Sequence, residues 1–228
     1  MAVIHGDALE IVGNLGEFDY LITDPPYPPG ASAQNTQRGE DKYSALAESR
    51  VMAENMSLSL VMAVIRSVRK SPTFACWIMT DHRQISFYAH ALRAMGLHRQ
   101  SCVIWHKGMG MGVNYRNAHE MILFATAYHK RTDVGPNVVS VKRVHSSKRT
   151  HTFEKPADLV ETICAKFPQG RVIDPFCGTG GLLVGAKRLG WDVTGVDMGR
   201  EYCDTANERI ERESVQERLI DFKEGGNG

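Results

Sequence analysis

The chain has 228 residues, 43% hydrophobic and 23% charged, with a formal net charge of +1. That length can bury a substantial core, and no apolar run approaches the ~20 residues of a membrane helix. The near-zero charge neither requires nor excludes a nucleic-acid partner.

The start of the chain lacks the basic and apolar stretches of a signal peptide. Cys76, Cys102, Cys164, Cys177 and Cys203 are scattered without a C-x-x-C pair. Neither a disulfide framework nor a metal site is expected, and a reduced, cytoplasmic setting is.

In chain order, short β-rich runs alternate with amphipathic stretches, which predicts an α/β fold with a mostly parallel sheet flanked by helices. Asp19 to Thr23 reads as a strand ending at Asp24, and Met52, Met56, Leu60 and Val64 recur at helical spacing over about 50–70. Thr73 to Met79 is an apolar run suited to a strand covered on both faces. Thr80-Asp81 then offers an N-cap for a helix carrying Ile85, Ala89 and Leu92 and closed by Gly96. Cys102 to Trp105 and Met121 to Ala125 are two further strands.

Beyond Ala127 the texture changes. Residues 128–152 carry Lys130, Arg131, Lys142, Arg143, Lys148 and Arg149 against the single acid Asp133. Regular pattern resumes with a helix over Ala157 to Phe167, a strand from Arg171 to Asp174, a glycine-rich turn and a helix through Leu182 to Leu189. Asp192 to Val196 is a strand, and the helix over about 200–220 is charged except for Tyr202, Ala206 and Ile210. Pro28 to Asp41 and the basic segment lack periodicity, and aperiodic loops of that length are usually functional.

Two motifs carry chemistry. Asp24-Pro25-Pro26-Tyr27 follows a strand, which places a carboxylate where open α/β sheets bind ligands. The prolines fix the backbone and remove two N–H donors, so nearby carbonyls can point at a substrate, and Tyr27 offers an aromatic face. Together they suit an exocyclic amino group on a heterocycle; the alternative is a proline-rich turn with a core tyrosine. The second motif is Asp174-Pro175-Phe176-Cys177-Gly178-Thr179-Gly180-Gly181, again between strand and helix. Its glycines let backbone approach a ligand, and Asp197, at the end of the next strand, stands where an acid binds a ribose diol.

With both motifs in place, the chain resembles the β-class S-adenosylmethionine-dependent DNA amino-methyltransferases of bacteria and phages. In these the D-P-P-Y motif comes first and F-x-G-x-G last. His151-Thr152-Phe153-Glu154-Lys155-Pro156 is similar to their H-x-x-x-K-P element, and His5-Gly6-Asp7 and Gly195-Val196-Asp197 extend the match. The resemblance implies a Rossmann-like class I methyltransferase fold in circularly permuted order, one catalytic domain over 1–228. It implies a DNA-contacting loop at 28–45 and a short target-recognition insertion at 128–152.

The same resemblance implies the site. Asp24 and the Pro25-Pro26 backbone would hold the target amino group, and Tyr27 would stack on a flipped-out base. Asp174, Phe176, Cys177, Gly178, Thr179, Gly180, Asp197, His151 and Lys155 would surround S-adenosylmethionine. Asp7 is either a partner of the cofactor adenine or a helix cap. The family more often has glutamate at position 197 and serine at 179. Cys177 offers no base-carbon chemistry, because the Pro-Cys motif for it is missing.

Asn114 to Glu120 resembles an R-N-x-H-E element of these enzymes, so that Arg116 or His119 touches cofactor or phosphate. The alternative has His119 and Glu120 pairing at a strand edge. Trp105 to Gly112 reads as a flexible connector. Double-stranded DNA is the expected partner, with Arg38, Lys130, Arg131, Lys142, Arg143, Lys148 and Arg149 as phosphate or base contacts. A homodimer is common in the class. The expected reaction is N6-adenine methylation, of the kind found in restriction–modification. The rival readings are N4-cytosine DNA methylation, RNA N6-adenosine methylation and a non-catalytic DNA-binding or cofactor-sensing module.

Overall fold

Alternating burial along the strands builds a sheet with a core on each face. The computed structural model describes residues 2–26, 57–69, 72–108, 116–127, 133–144 and 154–225. Its elements are β1 (Val3–His5), α1 (Ala8–Ile11) with a following 3-10 turn, β2 (Tyr20–Thr23), α2 (57–68), β3 (Ala75–Thr80), α3 (Ile85–Ala94), β4 (Arg99–His106) and β5 (His119–Thr126). They continue with β6 (Val138–Ser140), α4 (Ala157–Cys164), β7 (Arg171–Asp174), α5 (Gly181–Arg188), β8 (Asp192–Asp197) and α6 (Arg200–Gly225).

The strands form one eight-stranded sheet in the order β1-β8-β7-β2-β3-β5-β4-β6. Only β5 runs against its neighbours. Because side chains alternate across a strand, Tyr20, Ile22, Trp77, Met79, Val172 and Val193 pack with α4, α5 and α6. Leu21, Cys76, Ile78, Ile173 and Val196 face the other way, onto α1, α2 and α3. All six residues of β3 are buried, as its unbroken apolar run requires.

The two motif-bearing strands, β2 and β7, are sheet neighbours although about 150 residues separate them. After β2 the chain builds outward through β3, and after β7 it builds the opposite way through β8. Where the direction of building reverses, the carboxyl ends of two parallel strands leave a crevice between them.

Several expectations change in detail. Strand β1 and helix α1 have no counterpart among the predicted elements. Asp81 Oδ1 accepts from the backbone N–H of Arg83 and Gln84 at 2.9 and 3.2 Å, so it caps a turn and α3 itself begins at Ile85. In α6 Ala206 and Ile210 pack inward as expected, joined by Cys203, while Tyr202 is exposed. The aperiodic stretch 128–152 contains β6, which pairs in parallel with β4 at the sheet's edge. Trp105 to His106, expected in a connector, belong to β4, with the Trp105 indole buried and donating to the Val141 carbonyl at 2.8 Å. Among the described residues no helix is long and apolar enough to cross a membrane, and no group of three His, Cys, Asp or Glu could hold a metal ion.

Candidate active site

Asp24 follows β2 directly and so stands at the crevice between β2 and β7. Behind it, Ser57 of α2 donates its hydroxyl to the Pro26 carbonyl at 2.6 Å, which fixes the double-proline turn to the second core. The turn's dihedrals are already narrowed by proline, and Ser57 pins its far end. Tyr27 lies outside the described residues, as do Arg38, Lys130, Arg131, Lys148, Arg149 and His151.

Across the crevice, the turn after β7 carries Gly178 and Gly180 at φ of 50° and 77°, the left-handed region that glycine adopts without penalty. A Cβ on Gly180 would lie 2.9 Å from that of Ala206, so α6 packs directly on the turn. Among the described residues a Cβ on Gly178 would meet nothing within 4 Å, which leaves that side of the turn open to them. The Gly178 N–H donates to Asp197 Oδ2 and the Gly199 N–H to Asp197 Oδ1, both at 2.8 Å. Asp197 thus ties the glycine turn to the end of β8. Arg209 closes the turn from behind, donating to the Thr179 carbonyl at 2.8 Å and pairing with the buried Glu154 at 2.7 Å.

Two expected ligand groups turn inward. Asp174 is buried, and its Oδ1 accepts from Thr23 Oγ1 at 2.8 Å and from the Phe176 N–H at 3.1 Å. Its carboxylate joins β2 to the glycine turn rather than lining the crevice. Cys177 is also buried, and burial pushes its thiol far up, which suits turn filling and not nucleophilic attack. Asp7 caps α1, accepting from the Leu9 N–H at 2.8 Å, one of the two roles the sequence allowed.

Burial pushes the Asp174 carboxyl up to about 7, against the pull of its hydrogen bonds from Thr23 and Phe176. A carboxyl raised in the folded state keeps a proton that the unfolded chain has already lost. Its contribution to stability therefore falls as pH rises from the usual 3.8 to about 7, and levels above that. Asp174→Asn keeps an acceptor oxygen and removes the titration. In urea unfolding at about pH 5 and about pH 8, the variant is expected to gain on the parent with rising pH. An unchanged difference would remove Asp174 as the titrating group.

The feature that sequence reading missed is a row of alternating charges at this same edge. Because β5 runs antiparallel, its first residues reach the edge where β3 and β4 end, with Glu120 opposite Trp105 and His119 opposite His106. Glu120 is therefore interior to the sheet's order, not at an edge strand. Lys107, one residue beyond β4, places Nζ 2.6 Å from Glu120 Oε1. Lys155, just before α4, places Nζ 2.6 Å from Asp24 Oδ2 and 3.3 Å from Glu120 Oε2.

Burial disfavours charge on Lys155, but the Asp24 and Glu120 carboxylates outweigh it and hold the ammonium well above the usual lysine range. Burial likewise opposes ionisation of Glu120, and Lys155 and Lys107 reverse it, keeping the carboxyl below its usual value. Both groups stay charged at neutral pH. Lys155, expected beside the cofactor, lies against Asp24. The hydroxyl of Tyr88 is buried without a hydrogen-bond partner among the described residues, and burial together with the Asp24 charge pushes its phenol up. No spacing in the sequence points to Tyr88, Lys107 or Ser57.

The arrangement joins a fixed carboxylate, an open glycine turn and an acid-anchored strand end at one sheet crevice. The N6/N4 methyltransferase family, described as DNA methylase, matches residues 18–208, which spans both motifs. The chain belongs to this DNA methylase family. Type II methyltransferase M.HpaI of Haemophilus parainfluenzae is 26% identical over 254 residues, covering 95% of this chain and 78% of the relative. Among solved structures, the M1.HpyAVI–SAM complex superposes with a TM-score of 0.67 at 23% identity, covering 91% of this chain and 98% of that one. PvuII DNA methyltransferase, cytosine-N4-specific, gives 0.63 at 16% identity, covering 93% and 89%. The fold is thus the α/β fold of class I methyltransferases, and members with this fold include an N4-cytosine enzyme.

Lys142 and Arg143 are exposed and follow β6. Four strand spacings separate β6 from β2, about 19 Å along the same sheet edge. Arg116 and His119 are exposed ahead of and at the start of β5.

Proposed function

We propose that the protein methylates the exocyclic N6 of adenine in double-stranded DNA, using S-adenosylmethionine, on a base turned out of the helix. The observation that carries the reading is the juxtaposition of Asp24 with the glycine turn across the β2–β7 crevice of a DNA methylase chain. The residues fit the cofactor: the open side of Gly178, the α5 N-terminus and Asp197 make a cradle that tolerates close approach. When bound there, S-adenosylmethionine would supply an electrophilic methyl, with S-adenosylhomocysteine as the product.

Asp24 accepts a hydrogen bond from the target amino group and holds its nitrogen toward the glycine turn. The attacking nitrogen forms its new bond to carbon with its own lone pair, so no protein nucleophile is required. That nitrogen becomes positively charged and must shed a proton, which Asp24 can accept and pass to water. Pro25 and Pro26 hold the acceptor geometry, and Tyr27 is the stacking face for the base.

The aspartate of D-P-P-Y favours adenine over cytosine, whose N4 enzymes in the group tend to carry serine there. The N4-cytosine reading draws support from the cytosine-N4-specific structural relative. Transfer of labelled methyl to duplex DNA, single-stranded DNA and RNA, followed by nucleoside mass analysis, separates the readings. N6-methyladenine from duplex DNA is expected. N4-methylcytosine would change the base, label confined to RNA would change the substrate, and no transfer with cofactor bound would end the enzyme reading.

The basic segment is proposed to neutralise DNA phosphates, in a single catalytic domain working in the cytoplasm. Replacing Lys148 and Arg149 by glutamate is expected to weaken duplex binding and to flatten its dependence on salt, by roughly one unit of slope for each phosphate no longer neutralised. An unchanged slope would take that segment off the interface.

A further inference from the structure

Within the methyl-transfer reading, the charge row at the sheet edge raises a problem of occupancy. An ammonium donates three N–H groups and accepts none. Lys155 Nζ sits 2.6 Å from Asp24 Oδ2, and Asp24 Oδ1 is buried in the fold. An entering amino group is also a donor, so it competes with Lys155 for the same carboxylate. If Lys155 were simply expelled, its cation would be stranded in a largely buried place.

We propose that Glu120 is a positioning residue that takes over the Lys155 ammonium when the target amino group takes Asp24. Glu120 Oε2 already lies 3.3 Å from Nζ, within ion-pair range, so the ammonium can give up Asp24 without losing an anionic partner. Lys107 holds Oε1 at 2.6 Å, which turns Oε2 toward Lys155. The backbone of Lys155 does not follow. On one side Glu154 is clamped by Arg209, and on the other Pro156 leads straight into α4. Only the tip of the lysine moves, between two anions already in contact with it. A role for Asp24 alone would need neither the second carboxylate nor the second lysine.

The test rests on the transfer reading and is built to separate the two. With the modified site mapped, wild type, Glu120→Gln and Glu120→Asp are compared, together with duplexes bearing the target base or its analogue without the exocyclic amino group. Melting temperature and S-adenosylmethionine affinity check the fold of each variant. Glu120→Gln is expected to lower kcat about 10–100-fold, the scale of one hydrogen bond to a charged group. It is also expected to weaken binding of the amino-bearing duplex about tenfold relative to the analogue duplex, because only the amino group competes with Lys155. Glu120→Asp is expected to recover most of both losses.

Equal weakening on both duplexes, or wild-type kcat in Glu120→Gln, overturns the hand-over and leaves methyl transfer standing. If wild type transfers no methyl to nucleic acid, both fall together.

Discussion

Asp24→Ala is expected to reduce methyl transfer by at least about 10²–10³-fold while leaving S-adenosylmethionine affinity nearly unchanged. The carboxylate follows β2 at the crevice, whereas the glycine turn, Asp197 and the α5 N-terminus lie on the β7–β8 side. Removing it takes one anion from Lys155 but leaves Glu120 in reach. Buried ion pairs cost about 3–5 kcal/mol when one partner is lost, and this largely buried lysine should cost less because Glu120 remains as a second partner. The variant should therefore fold, with a lowered melting temperature, and bind cofactor in a calorimetric titration. A folded variant that no longer binds the cofactor would place Asp24 on the wrong side of the site.

Gly181→Ala is expected to damage both fold and activity. A Cβ there would clash with the carbonyl oxygen of Lys155, a backbone atom that cannot rotate away. The first turn of α5 and the segment carrying Lys155 must separate, which at overpacked positions costs about 1–3 kcal/mol. For a chain of this size that lowers the melting temperature by roughly 2–4 °C per kcal/mol. Lys155 would move with its backbone, away from Asp24. Gly178→Ala makes the contrast, since its Cβ meets no atom of the described residues and the φ of 50° is what resists it. That variant should stay folded and lose cofactor affinity instead. If both substitutions gave the same loss of stability with normal cofactor binding, the open side of the turn would not be the cradle.

Hydrophobic period marks the strands and helices because burial on one or both faces is a local demand. The unbroken apolar run of β3 and the strand–turn–helix around Gly178 are legible for that reason. The phase of α6 is not: Tyr202 and Cys203 are adjacent, and which one faces the core depends on where the helix crosses β1 and β8. There Asn207 accepts from the Ala2 and Val3 N–H groups and fixes the rotation. Asp174 reads as a cofactor ligand in the sequence because a motif carries residue type and order but not burial. Thr23, contributed by the neighbouring β2, holds that carboxylate inward together with the Phe176 N–H.

By itself the sequence determined the α/β class, the two motif-bearing turns and their order, since each rests on residues within a few positions of one another. Tertiary structure alone decided that Asp24, Lys107, Glu120 and Lys155 form one row of alternating charge. They arrive at the sheet edge from four separate segments, and the reversed direction of β5 is what brings Glu120 to that end. Charges so far apart in the chain act on one another only once pairing of the strands has set them within about 3 Å, where the electrostatic interaction becomes strong.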